Sequence, residues 1–261
     1  MTRIIIPARL QSTRLPEKLL RVVGSASVLQ HTYQAAARSG VDAEPIVAVD
    51  DRRLADEVDA FGGRWVMTPV NCPSGTDRIA AAVDQLIRDG VMHSNTPVVN
   101  VQGDEPEISG EAICRVANLI ECSNAAAMST AVTPIRDVQK LHDPNVVKCV
   151  LAIDPANSPE DFYCGRALYF SRSAVPHDRD GACDLTTDPP MVWHHVGLYG
   201  YTPQTLRWFA SEQPSPLERI EKLEQLRILE AGKTIMAASI PVAAPGIDTA
   251  EDLEAFRMRA A

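Results

Sequence analysis

Apolar and polar positions alternate between two periods along the first hundred residues. Short apolar runs at 3–6, 45–49, 64–68 and 97–101 read as strands, and the stretches between them carry helical spacing. Ser27 can cap a helix that runs to about Arg38 and stops at Gly40. A second helix reads from 52 to 61, closed by Gly62; a third, 76–88, puts Ile79, Val83, Leu86 and Ile87 on one face. The run 97–101 is nearly all apolar, as expected of a strand covered by helices on both sides. This alternation predicts an α/β fold with a doubly wound, mainly parallel sheet.

Beyond about Asp137 the pattern changes. Strands are expected at 145–153, 167–170 and 196–201, with long polar loops at 154–165 and 176–192. Ser215-Pro216-Leu217-Glu218 then joins an N-cap, a proline at the first helical position and an acid three residues after the cap. It starts a helix expected to reach Glu230. A strand near 235–240 and a helix from about Ala250 complete the series. No repeat or low-complexity linker intervenes, so the expectation is one domain over 1–261 with a smaller β-rich subdomain inserted at about 137–201.

Composition narrows the function classes. With 261 residues, 45% hydrophobic and 23% charged, the chain can bury a large core and is neither fibrous nor disordered. A net charge of −9 argues against broad nucleic-acid or anionic-membrane binding. The opening apolar run is too short for a signal peptide, and no stretch approaches the ~20 apolar residues of a membrane span. Six cysteines without a Cys-x-x-Cys pair read as reduced thiols of a cytosolic protein, with no zinc spacing.

Candidate chemistry gathers where strands end, the place where open α/β sheets bind ligands. The first strand leads into the loop from Pro7 to Lys18, which holds Arg9, Arg14 and Lys18 with hydroxyls at Ser12 and Thr13. That mixture suits a phosphate chain, but neither a P-loop nor a dinucleotide fingerprint is present. Ser74-Gly75-Thr76-Asp77-Arg78 opens a helix with a small, flexible entry suited to close approach of a ligand. Asn100-Val101-Gln102-Gly103-Asp104-Glu105-Pro106 places an acid after the central strand, a usual position for a carboxylate holding Mg²⁺ against phosphates. Asp104 could also merely bond turn amides, the lesser of the two readings. Asp248-Thr249-Ala250-Glu251-Asp252 is also a strong N-cap signature.

Taken with 167–172, 195–201, 213–227 and 246–253, these segments resemble the 3-deoxy-D-manno-octulosonate (Kdo) cytidylyltransferases, or CMP-Kdo synthetases. The resemblance implies a nucleotide-diphospho-sugar transferase-like fold in a cytoplasmic homodimer. The reaction would join CTP and Kdo into CMP-Kdo and pyrophosphate for lipopolysaccharide biosynthesis, with Mg²⁺ as cofactor and no nucleic-acid or membrane partner. It makes Arg9, Lys18, Asp104 and Asp248 catalytic, with Asp104 and Asp248 on the metal. Pro7, Ala8, Arg14, Ser74, Gly75, Arg78 and Gln102 would complete the nucleotide site. Gln102, Arg172, His195, Tyr199, Glu221 and Glu224 would surround the sugar acid, Glu221 and Glu224 from one helix face. The 137–201 region would serve the sugar side and the dimer contact.

The sequence departs from the family pattern at Glu17, Leu19, His177 and His194 and in the long loop 154–165. Glu17 must turn its carboxylate away from a triphosphate, and the other changes admit another 2-keto sugar acid as acceptor. A glycosyltransferase would want an Asp-x-Asp motif, which Gly103-Asp104-Glu105 does not supply. A non-catalytic nucleotide-binding relative would lack some of Arg9, Lys18, Asp104 and Asp248; all four are present.

Overall fold

Consecutive residues of the first strand, β1 (Arg3–Ala8), enter different cores: Ile4, Ile6 and Ala8 one, Ile5 the other. A strand buried on both faces needs helices on both sides of its sheet. The computed structural model, which describes residues 2–260 except 43, 124–125, 156–157 and 159–161, supplies them. After β1 come a 3₁₀ turn (Lys18–Leu20), a small hairpin of β2 (Val22–Val23) and β3 (Ala26–Ser27), and α1 (Val28–Ala37). Next follow β4 (Ile46–Val49), α2 (Arg52–Ala60), β5 (Arg64–Met67), α3 (Gly75–Arg88) and β6 (Val98–Asn100). The chain continues through α4 (Gly110–Cys122), β7 (Ala126–Pro134), α5 (Val138–His142), β8 (Lys148–Ile153), β9 (Cys164–Ser171) and β10 (Trp193–Tyr201). It closes with α6 (Pro203–Ser211), α7 (Pro216–Glu221), α8 (Gln225–Glu230), β11 (Thr234–Ser239) and α9 (Ala250–Ala260).

The main sheet has nine strands in the order β5-β4-β1-β6-β10-β7-β11-β9-β8. The α/β expectation holds, but the sheet is mixed rather than mainly parallel. β5, β4, β1 and β6 pair in parallel, β10 runs antiparallel to β6 and β7, and only β11–β7 restores a parallel pair before the antiparallel β9 and β8. Residues of α1, α2, α4 and α9 pack in the core with Ile4 and Ile6; those of α3, α6 and α8 pack in the core with Ile5. The region 137–201 contributes β8, β9 and β10 to this same sheet.

Two differences from the sequence pattern matter for the site. The segment between 106 and 137, given no element above, forms α4 and β7. Ser109 caps α4 through the Ala112 N–H, and Ala112, Ile113, Val116, Ala117 and Ile120 are buried along it. The expected single helix from 215 to 230 is two helices, because Lys222 adopts a left-handed conformation (φ 56°) between α7 and α8. Among the described residues no helix is long and apolar enough to cross a membrane.

Candidate active site

The loop after β1 sorts its side chains by polarity. Leu10, Leu15 and Leu19 are buried in the core, which leaves Arg9, Arg14 and Lys18 to line a cleft of about 380 Å³. The Asp50 carboxylate, one residue beyond β4, holds the start of this loop by accepting from the Leu10 N–H at 2.9 Å. Pro7, Ser74, Gly75, Arg78, Gln102, Asp104, Glu224 and Asp248 complete the cleft's predicted lining. The loops after β1, β5, β6 and β11 thus meet at the carboxyl ends of their strands, beside the point where the parallel order turns back at β1.

Glycine is needed here at Gly103 more than at Gly75. A Cβ on Gly103 would lie 3.0 Å from the Pro7 carbonyl oxygen, whereas one on Gly75 would meet nothing closer than 3.8 Å. The close approach of Gly103 to Pro7 sets Asp104 beside the first loop. A backbone bond from the Ile247 N–H to the Asp104 carbonyl (2.9 Å) brings the segment after β11 to the same place.

Asp104 and Asp248 converge on one cation. Lys18 Nζ donates to Asp104 Oδ2 at 2.5 Å and to Asp248 Oδ1 at 2.9 Å, while Arg14 reaches the other Asp248 oxygen at 3.0 Å. Arg9 is exposed and pairs with no carboxylate among the described residues. Asp248 is not the cap of α9. The Thr249 hydroxyl accepts from the Asp252 N–H, and the Asp252 carboxylate accepts from the Asp248 and Thr249 N–H groups. The N-cap signature therefore belongs to Thr249 and Asp252, and the Asp248 carboxylate is turned toward Lys18. Two carboxylates meeting at a point that already accepts a cation fit Mg²⁺, which prefers oxygen donors and keeps water and phosphate in its shell. Among the described residues no group of three or more His, Cys, Asp or Glu side chains could hold a metal.

The remaining predicted positions divide. Arg78 faces the cleft but is a buried clamp, donating to Asp50 (3.0 Å) and Thr68 (2.7 Å). The side chain of Ala8 is wholly in the core, so only its backbone can serve a ligand. The Ser74 hydroxyl caps α3 by accepting from the Asp77 N–H, and Ser74 and Gly75 set the start of that helix at the cleft. Glu224 is held by the Thr76 hydroxyl at 2.8 Å, and burial pushes its carboxyl above the usual range.

Arg172, His195, Tyr199 and Glu221 do not line this cleft. The left-handed Lys222 separates Glu221 from Glu224, so the two do not share a helix face. Glu221 turns to β9, accepting from the Ser171 hydroxyl (2.7 Å) and the Arg172 N–H (2.9 Å). The Arg172 guanidinium is spent on the carbonyls of Glu221 and Pro144. His195 lies buried between the rings of Phe170 and Tyr199 and bonds Thr130 at 3.0 Å; burial pulls its pKa down to about 3, so the ring is neutral. Burial likewise raises the Tyr199 phenol.

Comparison with known proteins decides what this cleft belongs to. A family model described as cytidylyltransferase matches residues 3–235. The chain is similar to a 3-deoxy-manno-octulosonate cytidylyltransferase of Rhodopirellula baltica, 51% identical over 98% of this chain and 97% of that protein. It is also similar to one of Idiomarina loihiensis, 42% identical over 97% and 96%. The chain belongs to the 3-deoxy-manno-octulosonate cytidylyltransferases. A solved CMP:2-keto-3-deoxy-manno-octonic acid synthetase complexed with CTP superimposes with a TM-score of 0.84 at 31% identity, covering 99% of this chain and 98% of that one. A 4-diphosphocytidyl-2C-methyl-D-erythritol synthase shares the fold at a TM-score of 0.60 and 14% identity.

Four residues of this cytidylyltransferase do more than the motifs indicate. Asp50 and Thr76 hold Arg78 and Glu224; their signals are a carboxylate just past the end of the second strand and the Thr inside Ser74-Gly75-Thr76-Asp77-Arg78. Glu17, the expected misfit beside the phosphate loop, turns away and pairs with Arg53 of α2 at 2.6 Å, from a left-handed backbone (φ 52°). Glu105, next to Asp104, is half-buried, with its Oε2 buried and without a hydrogen-bond partner among the described residues, and desolvation together with the Asp104 charge pushes its carboxyl up to about 8.

Proposed function

We propose that this cytidylyltransferase joins CMP from CTP to 3-deoxy-manno-octulosonate and releases pyrophosphate, as the names of its relatives say of them. The convergence of Arg9, Arg14, Lys18, Asp104 and Asp248 in one cleft carries the reading. CTP is strongly anionic and the acceptor adds a carboxylate, so the cleft must offset repulsion between its two substrates. Arg9, Arg14 and Lys18 bind the triphosphate by charge-assisted hydrogen bonds, and the start of α3 with Pro7, Ala8, Arg78 and Gln102 receives the nucleoside. Gln102 and Glu224 meet the sugar acid inside the cleft. Outside the cleft, His195 packs on Tyr199 and lies 3.5 Å from Gln225, the neighbour of Glu224, while Arg172 and Glu221 pair with each other.

In this reading Asp104 and Asp248 would hold Mg²⁺, which when bound would supply polarisation of the α-phosphate and a lower pKa for the attacking hydroxyl. The anomeric oxygen bonds to the α-phosphorus as the bond to the pyrophosphate oxygen breaks. Lys18 and Arg9 neutralise the charge that departs, so most of the catalysis is positioning and electrostatics. The proposal includes a cytoplasmic location, where CTP is made, and a homodimer. Exposed apolar side chains at Leu168 and Met191, within 137–201, support the dimer contact.

The test is pyrophosphate release from CTP and Mg²⁺ with a panel of acceptors. Release with 3-deoxy-manno-octulosonate well above that with other 2-keto sugar acids is expected. A clear preference for another acid reassigns the acceptor; no release with any acid removes the reading.

A further inference from the structure

Lys18 occupies an unusual position for a phosphate-binding lysine. Its side chain is only 11% exposed, and its ammonium is already shared between the two carboxylates assigned above to the metal. Arg14 holds the second oxygen of Asp248, so the carboxylate pair is neutralised by the protein's own cations. A divalent cation bound to these oxygens would sit about 2 Å from them. The ammonium lies 2.5 and 2.9 Å from the same two side chains. Both cations cannot occupy that point, because like charges so close repel strongly at any plausible local dielectric.

Lys18 is also mounted to move. It opens a 3₁₀ turn of only three residues, entered from the left-handed Glu17, and Leu19 beside it is anchored in the core. The backbone is thus held on both sides while the flexible four-carbon stem can swing the ammonium. A triphosphate presents more negative charge than the two carboxylates, and Arg9, which no carboxylate engages among the described residues, is available to start its capture.

We propose that Lys18 is a removable plug of the metal site: its ammonium competes with the divalent cation for Asp104 and Asp248, and the arriving triphosphate draws it off. The inference rests on the reading of those two carboxylates as metal ligands. It sets an order of events in which nucleotide phosphate reaches Lys18 before a metal settles between the carboxylates. The same side chain then passes from occupying the metal's position to gripping the phosphates.

Direct binding of Mn²⁺, followed in the absence of nucleotide by the electron paramagnetic resonance of the free ion, tests this without any turnover. Lys18→Met keeps the unbranched apolar stem and removes the charge; it is expected to bind one Mn²⁺ at least about tenfold more tightly than the parent protein. Lys18→Arg keeps the charge and should bind as weakly as the parent. Adding Asp104→Asn to Lys18→Met should abolish the gain. Equal Mn²⁺ affinity in the parent, Met and Arg forms, all weakened by Asp104→Asn, would overturn the plug and leave the metal site standing. A Met form whose Mn²⁺ binding ignores Asp104→Asn and Asp248→Asn removes the metal site itself, and the plug with it. Melting temperatures of all these variants within a few degrees of the parent confirm that each is folded when measured.

Discussion

The two sides of the cleft are built on opposite principles. On the phosphate side, Arg9, Arg14 and Lys18 come from a single loop. Arg14 is largely exposed and Asp248 half-buried, and the interactions are ion pairs that a ligand can exchange. On the Glu224 side, side chains from α3, β9, β10, α7 and α8 are buried against one another and their charges are suppressed: Glu224 is raised, His195 lowered, Tyr199 raised. A highly charged substrate is met by ion pairs it can exchange with, while the polyhydroxy body of a sugar acid needs shape held by packing. Damage should therefore show as lost turnover or nucleotide affinity on the first side, and as lost stability or acceptor affinity on the second.

The sharpest break of that contrast is Asp248→Asn. Because Thr249 and Asp252 make the cap of α9, the melting temperature should stay near that of the parent. Turnover at saturating Mg²⁺ should fall by at least about two powers of ten, or ~3 kcal/mol of transition-state stabilisation. Activity within a few-fold of the parent would show that the carboxylate merely pairs with Lys18 and Arg14. Next comes Lys18→Ala, which should weaken the use of CTP by roughly one to two powers of ten, the scale of a lost charged hydrogen bond. Steady-state titration with CTP reads this, and an unchanged KM and kcat would take Lys18 out of the phosphate site.

On the packed side the leading effect is a pH dependence of stability. The folded pKa of His195 is about 3 against 6.5 for an ordinary imidazole, so below 6.5 the unfolded chain takes a proton that the folded chain refuses. The stability carried by the neutral ring is whole above pH 6.5 and drains as the pH falls, by about 2 kcal/mol between pH 6.5 and 5. Urea unfolding of parent and His195→Gln across that range should differ in slope by this amount. Parallel slopes would mean that the ring is solvated. The smallest effect is expected from Thr76→Val, which removes the hydroxyl that donates to Glu224. KM for the acceptor should rise by about tenfold with KM for CTP unchanged, and Thr76→Ser should restore it, on the scale of one buried hydrogen bond. A rise in the CTP constant instead would move Glu224 to the nucleotide.

Legibility followed the same division. The cation loop could be read because its three charges lie within ten residues behind a strand whose apolar run is unmistakable. Helix starts at Ser27 and Ser74, capped by their hydroxyls, and at Ser215, whose N–H donates to Glu218, were also readable, since each bond joins residues three apart. The break at Lys222 was not. A periodic run from 215 to 230 carries no local mark for a left-handed residue, and what turns the chain there lies elsewhere. Arg227 grips Glu218 through both oxygens (2.6 and 2.7 Å) while its guanidinium stacks 3.8 Å over Phe209 of α6.

Sequence alone determined the alternation of strands and helices, the polarity of the phosphate loop and the residue types offered for a metal, because each depends on neighbours within a few positions. Which of those residues meet was decided only by the tertiary structure. Lys18 touches Asp104 across 86 positions and Asp248 across 230, contacts created by the order in which strands enter the sheet. The same folding turned Glu221 to β9 and Glu224 to the cleft, and gave the cap of α9 to Thr249 and Asp252 so that Asp248 was left to face a cation. Hydrogen bonds between near neighbours can be read along a chain; charges that meet through a shared sheet edge depend on the packing of every element between them.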